Sequence, residues 1–181
     1  MRAIAYQNEH FQHVRHIPNG TAGIAATLNE MAKLARAGRR DPEIRKLAFK
    51  IIRHVPARDW DGELGALHSW VRDHIRYVHD PVDTLGASKT RGVEYLAIPR
   101  ETIIHCAGDC DEHAVVLSSL LGSIGHPSKF VAVGLHGRDF SHVFVESPTA
   151  KGNWIPAETT EPVRLGWAPP GISQRLERWA D

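Results

Sequence analysis

The spacing of apolar residues changes period once along this chain, and that change limits the architectures open to it. Before about Gly125 apolar residues recur every three or four positions; after it they alternate. A first helical face runs from Thr21 through Ile24, Leu28, Met31, Leu34 and Ala35 to Gly38. A second starts at Asp41, an N-cap with Pro42 and Glu43 behind it, carries Ile44, Leu47, Ala48, Ile51 and Ile52, and stops at Pro56. A third spans residues 61–77 on Leu64, Leu67, Trp70, Val71 and Ile75. A fourth follows Gly108-Asp109 and buries Ala114, Leu117, Leu120 and Leu121.

Beyond the change of period, residues 128–136, 141–147 and 152–160 read as strands. Helices first and antiparallel strands after define an α+β fold, with N-terminal helices packed on a small C-terminal antiparallel sheet. Residues 1–20 read as an N-terminal arm or edge strand, 21–165 as one domain, and 166–181 as a C-terminal tail with a short Ile172/Leu176/Trp179 amphipathic stretch. Residues 79–99, punctuated by Pro81, Gly86, Gly92 and Pro99, read as a long irregular loop.

Charge narrows the function classes. Lys plus Arg is 22 and Asp plus Glu 21, a formal net charge of +1, so no global field points to nucleic acid. No apolar run approaches the roughly 18 residues that span a bilayer, and the first ten residues lack the apolar stretch of a secretory signal. Two cysteines, Cys106 and Cys110, are too few for a disulfide framework and point to a reducing compartment such as the cytoplasm.

The chemistry concentrates in His105-Cys-Ala-Gly-Asp-Cys-Asp-Glu-His113. Gly108 permits a tight turn, Asp109 is a good N-cap, and Glu112 three residues on completes a capping-box start. Cys110 then sits in the first turn of a helix, where the dipole favours a thiolate and a free backbone N–H can face an oxyanion. Asp109, Asp111 and Glu112 oppose the dipole, so the sulfur needs a histidine partner. A hairpin centred on Ala150 supplies one: pairs sum to 300, setting His142 opposite Glu158, Phe144 opposite Pro156 and Glu146 opposite Trp154. An imidazole beside a carboxylate is oriented and stabilised when charged.

These residues match a known pattern. Gly108-Asp-Cys-Asp-Glu-His-Ala114, Phe140-Ser-His-Val-Phe-Val145 and Trp154-Ile-Pro-Ala-Glu-Thr159 resemble the transglutaminase-like superfamily. Val71-Arg-Asp-His-Ile-Arg-Tyr77, Asp80-Pro81 and the stretch from Val93-Glu94 to Pro99 resemble its phage and prophage version. The resemblance implies Cys110 as nucleophile, His142 as base and Glu158 as the third member, where the superfamily usually has Asp followed by Pro. It implies acyl transfer through a Cys110 thioester on a protein or peptide amide, with no cofactor, in a bacterial host's cytoplasm or in a virion. On the same basis Arg76, Tyr77 and Glu94 support the cleft. Asp109 and, in the register above, Trp154 line it.

Two rivals stand beside the enzyme. One is a phage particle component that keeps the fold, contacts other structural proteins and does little chemistry. The other is a zinc domain using Cys106, Cys110, His105 and His113, for which no second finger-like ligand pair follows. Neither rival, nor the enzyme, calls for nucleic acid or a membrane.

Overall fold

A computed structural model describes residues 11–15, 20–78 and 93–180, with side chains at 20–78 and 96–180. Its helices are α1 (Thr21–Gly38), α2 (Pro42–Ile52), α3 (Trp60–His74), α4 (Pro99–His105) and α5 (Cys110–Ser123). The strands are β1 (Phe11–Arg15), β2 (Arg76–Tyr77), β3 (Val93–Ala97), β4 (Ala107–Gly108), β5 (Lys129–Leu135), β6 (Phe140–Pro148), β7 (Trp154–Ala157) and β8 (Ile172–Trp179). The expected α+β architecture is what the chain adopts.

α5 is the hub. Eleven of its fourteen residues are buried, because α1, α2, α3 and α4 all pack around it while β6 covers its remaining side. A helix buried on nearly every face belongs in the middle of a domain. Its Val116, Leu117 and Leu120 join Met31, Ala48, Leu64 and Leu67 in one core against Phe130, Ala132, Val143 and Val145 of the sheet. The sheet's other face holds a smaller cluster, Val131, Val133 and Phe144, against Leu135 and Ala168.

The main sheet has four strands in the order β7-β6-β5-β8. Residues 172–179, read from sequence as part of a tail, are its edge strand, paired antiparallel with β5 from Lys129↔Trp179 to Leu135↔Ile172. Seven of these eight residues are exposed, so the alternation that marks a half-buried strand is missing from the sequence. The third helix ends at His74, short of Tyr77: Ile75 turns extended, and Arg76 and Tyr77 pair in parallel with Ala107 and Gly108. The stretch read as an irregular loop contains β3, which pairs with β1, and begins α4 with Pro99 in its first turn. Residues 79–92 of that stretch lie outside the described part.

The β6–β7 hairpin is offset from the expected register. Its pairs are Val145↔Ala157, Glu146↔Pro156, Ser147↔Ile155 and Pro148↔Trp154, summing to 302 and not 300. The cause is Gly152, which takes a left-handed conformation (φ +82°) as the last loop residue, while Thr149 N–H bonds to the Asn153 carbonyl at 2.9 Å. That is a three-residue hairpin loop whose left-handed position favours glycine. Each partner moves by two, so faces are preserved.

Candidate active site

Cys110 opens α5 because Asp109 caps it. The Asp109 side chain accepts from Asp111 N–H at 2.9 Å, and Glu112 returns the bond by accepting from Asp109 N–H at 2.9 Å, a complete capping box. The second Glu112 oxygen accepts from Ala97 N–H at 3.2 Å, tying β3 to the helix start. Gly108 serves by closeness and not by turning: a Cβ there would lie 2.6 Å from the Glu112 Cβ. The left-handed residue is Cys106, at φ 52°.

His142 comes from β6 beside an irregularity. Val133 pairs with His142 and Gly134 with Phe140, leaving Ser141 as an extra residue. Such a bulge bends the strand and re-aims the neighbouring side chain. Glu158 follows the last β7 residue, just beyond the final ladder pair. The two are therefore diagonal neighbours and not direct opposites, and the Glu side chain spans the offset: His142 Nε2 lies 2.5 Å from Glu158 Oε2. The other oxygen, Oε1, accepts from Thr160 N–H and Thr160 Oγ1–H, each at 2.7 Å. Burial alone would raise this carboxyl, which is fully buried, but the His142 bond and charge and both Thr160 donors outweigh it. The result is a pKa below the ordinary carboxylate value.

Cys110 and His142 line one cavity of about 190 Å³ with Asp109, Asp111, Ser141 and an apolar wall from α1 and the sheet. His142 also borders a second cavity of about 360 Å³, with Tyr77, Glu158, Glu161 and Trp167. The imidazole thus stands between two open volumes, with Cys110 on one side and its carboxylate on the other. Burial pushes the Cys110 thiol up, Asp111 and Asp109 push it further, and a backbone hydrogen bond from Val143 pulls the other way and loses. The sulfur rests as a thiol and needs a base to attack.

Tyr77 reaches the site because the Gly108 pairing sets its strand beside the segment leading into Cys110. Partial burial and then the negative charge of Asp109, Asp111 and Glu158 raise its hydroxyl to about 12, so it stays protonated at neutral pH. Arg76 is exposed and contributes through its backbone, whose N–H bonds to the Cys106 carbonyl at 2.8 Å. Glu94 pairs with Val14 in the β1–β3 ladder, and its side chain lies outside the described part. Trp154 is not at the cleft: its ring meets Trp179 edge-on at 5.1 Å between centroids, with Lys129 Nζ 5.1 Å above it. The observed register puts Trp154 directly opposite Pro148, at the hairpin's far end.

The four zinc candidates do not converge. His105 is exposed beside Glu101 on α4, Cys106 is exposed with its sulfur on the Ile103 carbonyl, and His113 is buried. Among the described residues the group whose ligand atoms gather is Asp109, Cys110 and Asp111, within 4.8 Å of one another. Two of the three are carboxylates, with Asp109 already accepting a backbone N–H. No described helix is long and apolar enough to cross a membrane.

The sequence profile of the Transglutaminase-like superfamily matches residues 45–159, well over half of the chain. The chain belongs to the transglutaminase-like superfamily. Three solved structures resemble this member of the superfamily. Calcium-bound LapG of Legionella pneumophila is 21% identical, with a TM-score of 0.52, over 81% of this chain and 80% of LapG. A candidate protease of Parabacteroides distasonis is 14% identical, TM-score 0.54, over 86% and 29%. A cysteine protease candidate of Cytophaga hutchinsonii is 22% identical, TM-score 0.48, over 68% and 40%. The chain thus spans less than half of the last two proteins. At these identities the likeness to the first two, with TM-scores above 0.5, is one of fold. No curated protein matches.

His68 has no place in the sequence reading of the site, yet its buried ring lies 2.6 Å from the Glu158 carbonyl oxygen. The one local signal is its position on the apolar face of α3, between Leu67 and Val71.

Proposed function

We propose that this transglutaminase-like protein is a cysteine-dependent hydrolase or acyltransferase acting on protein or peptide amides, with Cys110, His142 and Glu158 as its triad. The reading rests on one observation above all: a buried carboxylate fixes His142 through Nε2 on the wall of the cavity that holds Cys110. That bond leaves Nδ1 as the ring nitrogen available to the sulfur. His142 Nδ1 takes the thiol proton as Cys110 Sγ bonds to the substrate carbonyl carbon. The oxyanion forms at the N-terminus of α5, where the Cys110 N–H is an unpaired helical donor. The intermediate collapses with cleavage of the C–N bond, and the proton on His142 passes to the departing amine. A water or amine then attacks the thioester with His142 as base, releasing the acyl group and restoring the thiol. Glu158 stabilises the imidazolium in both halves.

Water makes the reaction a proteolysis; an amine makes it a cross-link. The phage-type resemblance suggests particle proteins as the first substrates to assay. The test is labelling with a peptide-based electrophilic thiol probe, followed by incubation with casein, with and without a fluorescent primary amine. One label on Cys110, and casein turnover lost in Cys110→Ala, support the reading. Equal labelling of Cys106 and Cys110, or turnover that survives Cys110→Ala, contradicts it and favours a scaffold that has kept the fold without the chemistry.

A further inference from the structure

Glu158 is held at its side chain by His142 and Thr160, but a carboxylate is only as fixed as its backbone. The β6–β7 ladder ends at Val145↔Ala157, so the Glu158 peptide lies beyond strand pairing while being fully buried. A buried carbonyl left without a donor is destabilising and pulls the chain towards another donor. Here the donor is His68, 90 residues away on α3, with Nε2 at 2.6 Å. Burial keeps the His68 ring below its ordinary pKa, with nearby Arg72 acting in the same direction and the Glu158 carbonyl, Glu158 and Asp73 opposing. A neutral ring with its proton on Nε2 fits a carbonyl acceptor.

The same helix grips the segment a second time. Arg72, one turn after His68 and so on the same face, donates from Nη1 to the Val163 carbonyl at 2.9 Å. The two contacts bracket residues 158–163, which include Thr160 and the Glu161 that borders the larger cavity. α3 carries none of the three triad members, yet it fixes the chain on both sides of the Thr160 donors.

We infer that His68 is a positioning residue: by bonding the Glu158 carbonyl it sets the height at which the carboxylate meets His142, with Arg72 anchoring the same segment at Val163. The inference rests on Glu158 being the acid of the triad. Losing the bond lets the Glu158 backbone drift, and a displacement of about 1 Å at a catalytic group can cost on the order of 100-fold in rate.

The experiment measures alkylation of Cys110 by iodoacetamide from pH 6 to 10, resolved from Cys106 by mass spectrometry. In a coupled thiol–imidazole pair, proton transfer from sulfur to His142 needs no hydroxide, so the rate is level in the neutral range. A lone thiol instead gains tenfold per pH unit. His68→Leu removes the donor, His68→Gln places an amide N–H near the Nε2 position, and His68→Asn sets that donor back by about one bond. Wild type should show the level region, His68→Gln should keep it within about threefold, and His68→Leu should lose about 10- to 100-fold of its height. Arg72→Met should lose less. A merely structural role would lower the melting temperature of the Leu and Gln variants together and leave the height of the level region alone. If His68→Leu does not fold, the ranking of Gln above Asn carries the test. A level region equally high in all His68 variants overturns the inference and leaves the triad intact. A wild type without a His142-dependent level region overturns the triad, and the role of His68 with it.

Discussion

Replacing Glu158 by Gln should silence the site while leaving the fold, for a reason specific to this loop. Gln has nearly the volume of Glu but only one acceptor oxygen. Thr160 presents two donors to Oε1, its backbone N–H and its hydroxyl, each at 2.7 Å. The backbone N–H cannot reverse its polarity, so the Gln oxygen must face Thr160 and the amide NH2 must face His142. Turning the amide over would bury two donors against each other, at about 1–3 kcal/mol for the unsatisfied N–H alone. His142 then meets a donor where Glu158 Oε2 stood at 2.5 Å, which forces its own proton onto Nδ1, the nitrogen needed as base. Tautomer inversion of this kind in a serine protease triad costs about 10⁴-fold; a loss of about 10³-fold or more is expected here. Glu158→Asp should fail differently, because withdrawing the carboxylate by about 1.5 Å opens the His142 contact and costs on the order of 100-fold. The assay is the rate of Cys110 alkylation at pH 7.5, read beside Cys106 as an internal reference, with turnover of any amide substrate in parallel. Wild-type rates in Glu158→Gln would refute the argument, since the amide would then be satisfying His142 at the expense of Thr160, or the acid would not act through His142.

Other perturbations follow from the same geometry. Asp111→Asn removes a charge that helps hold the Cys110 thiol up while leaving an amide oxygen for the 3.6 Å contact, so alkylation at pH 9 should speed up; an unchanged rate would show that the Asp111 charge does not help set the thiol. Gly108→Ala drives a Cβ to 2.6 Å from the Glu112 Cβ and should cost about 1–3 kcal/mol of stability, measured by urea denaturation, whereas an unchanged midpoint would mean the helix start moves freely. Burial and then Asp109 raise the Glu112 carboxyl from 4.5 to about 8. Between those values the native state holds a proton that the unfolded chain releases, so the contribution of Glu112 is fullest below pH 4.5 and is lost as pH rises through 8. Glu112→Gln should therefore gain stability relative to wild type between pH 5 and pH 8, and a constant difference would contradict the shift.

What the sequence disclosed about this protein was local. Asp41 with Pro42, and Asp109 with Glu112, announce helix starts through side chains that bond two or three residues on, and the apolar spacing of α1, α2 and α3 follows from packing on one face. α4 escaped because seven residues with no side-chain cap leave too little periodicity. β8 escaped because exposure on both faces erases alternation, and its pairing is decided by β5, some forty residues earlier. The hairpin register turned on whether Gly152 began the strand or closed the loop. Even so, a shift of two keeps His142 and Glu158 on one face, so their pairing was legible although the register was not. His68 shows the limit: its partner is a backbone carbonyl 90 residues away, and no side-chain pattern marks a carbonyl.

The central claim is that Cys110 and His142 share a proton under the control of Glu158. The pH profile of Cys110 alkylation in wild type and His142→Ala tests it directly. The account predicts a level region in the neutral range for wild type that His142→Ala abolishes, leaving a rate that follows hydroxide. Two superimposable profiles, each climbing with pH throughout, would contradict it.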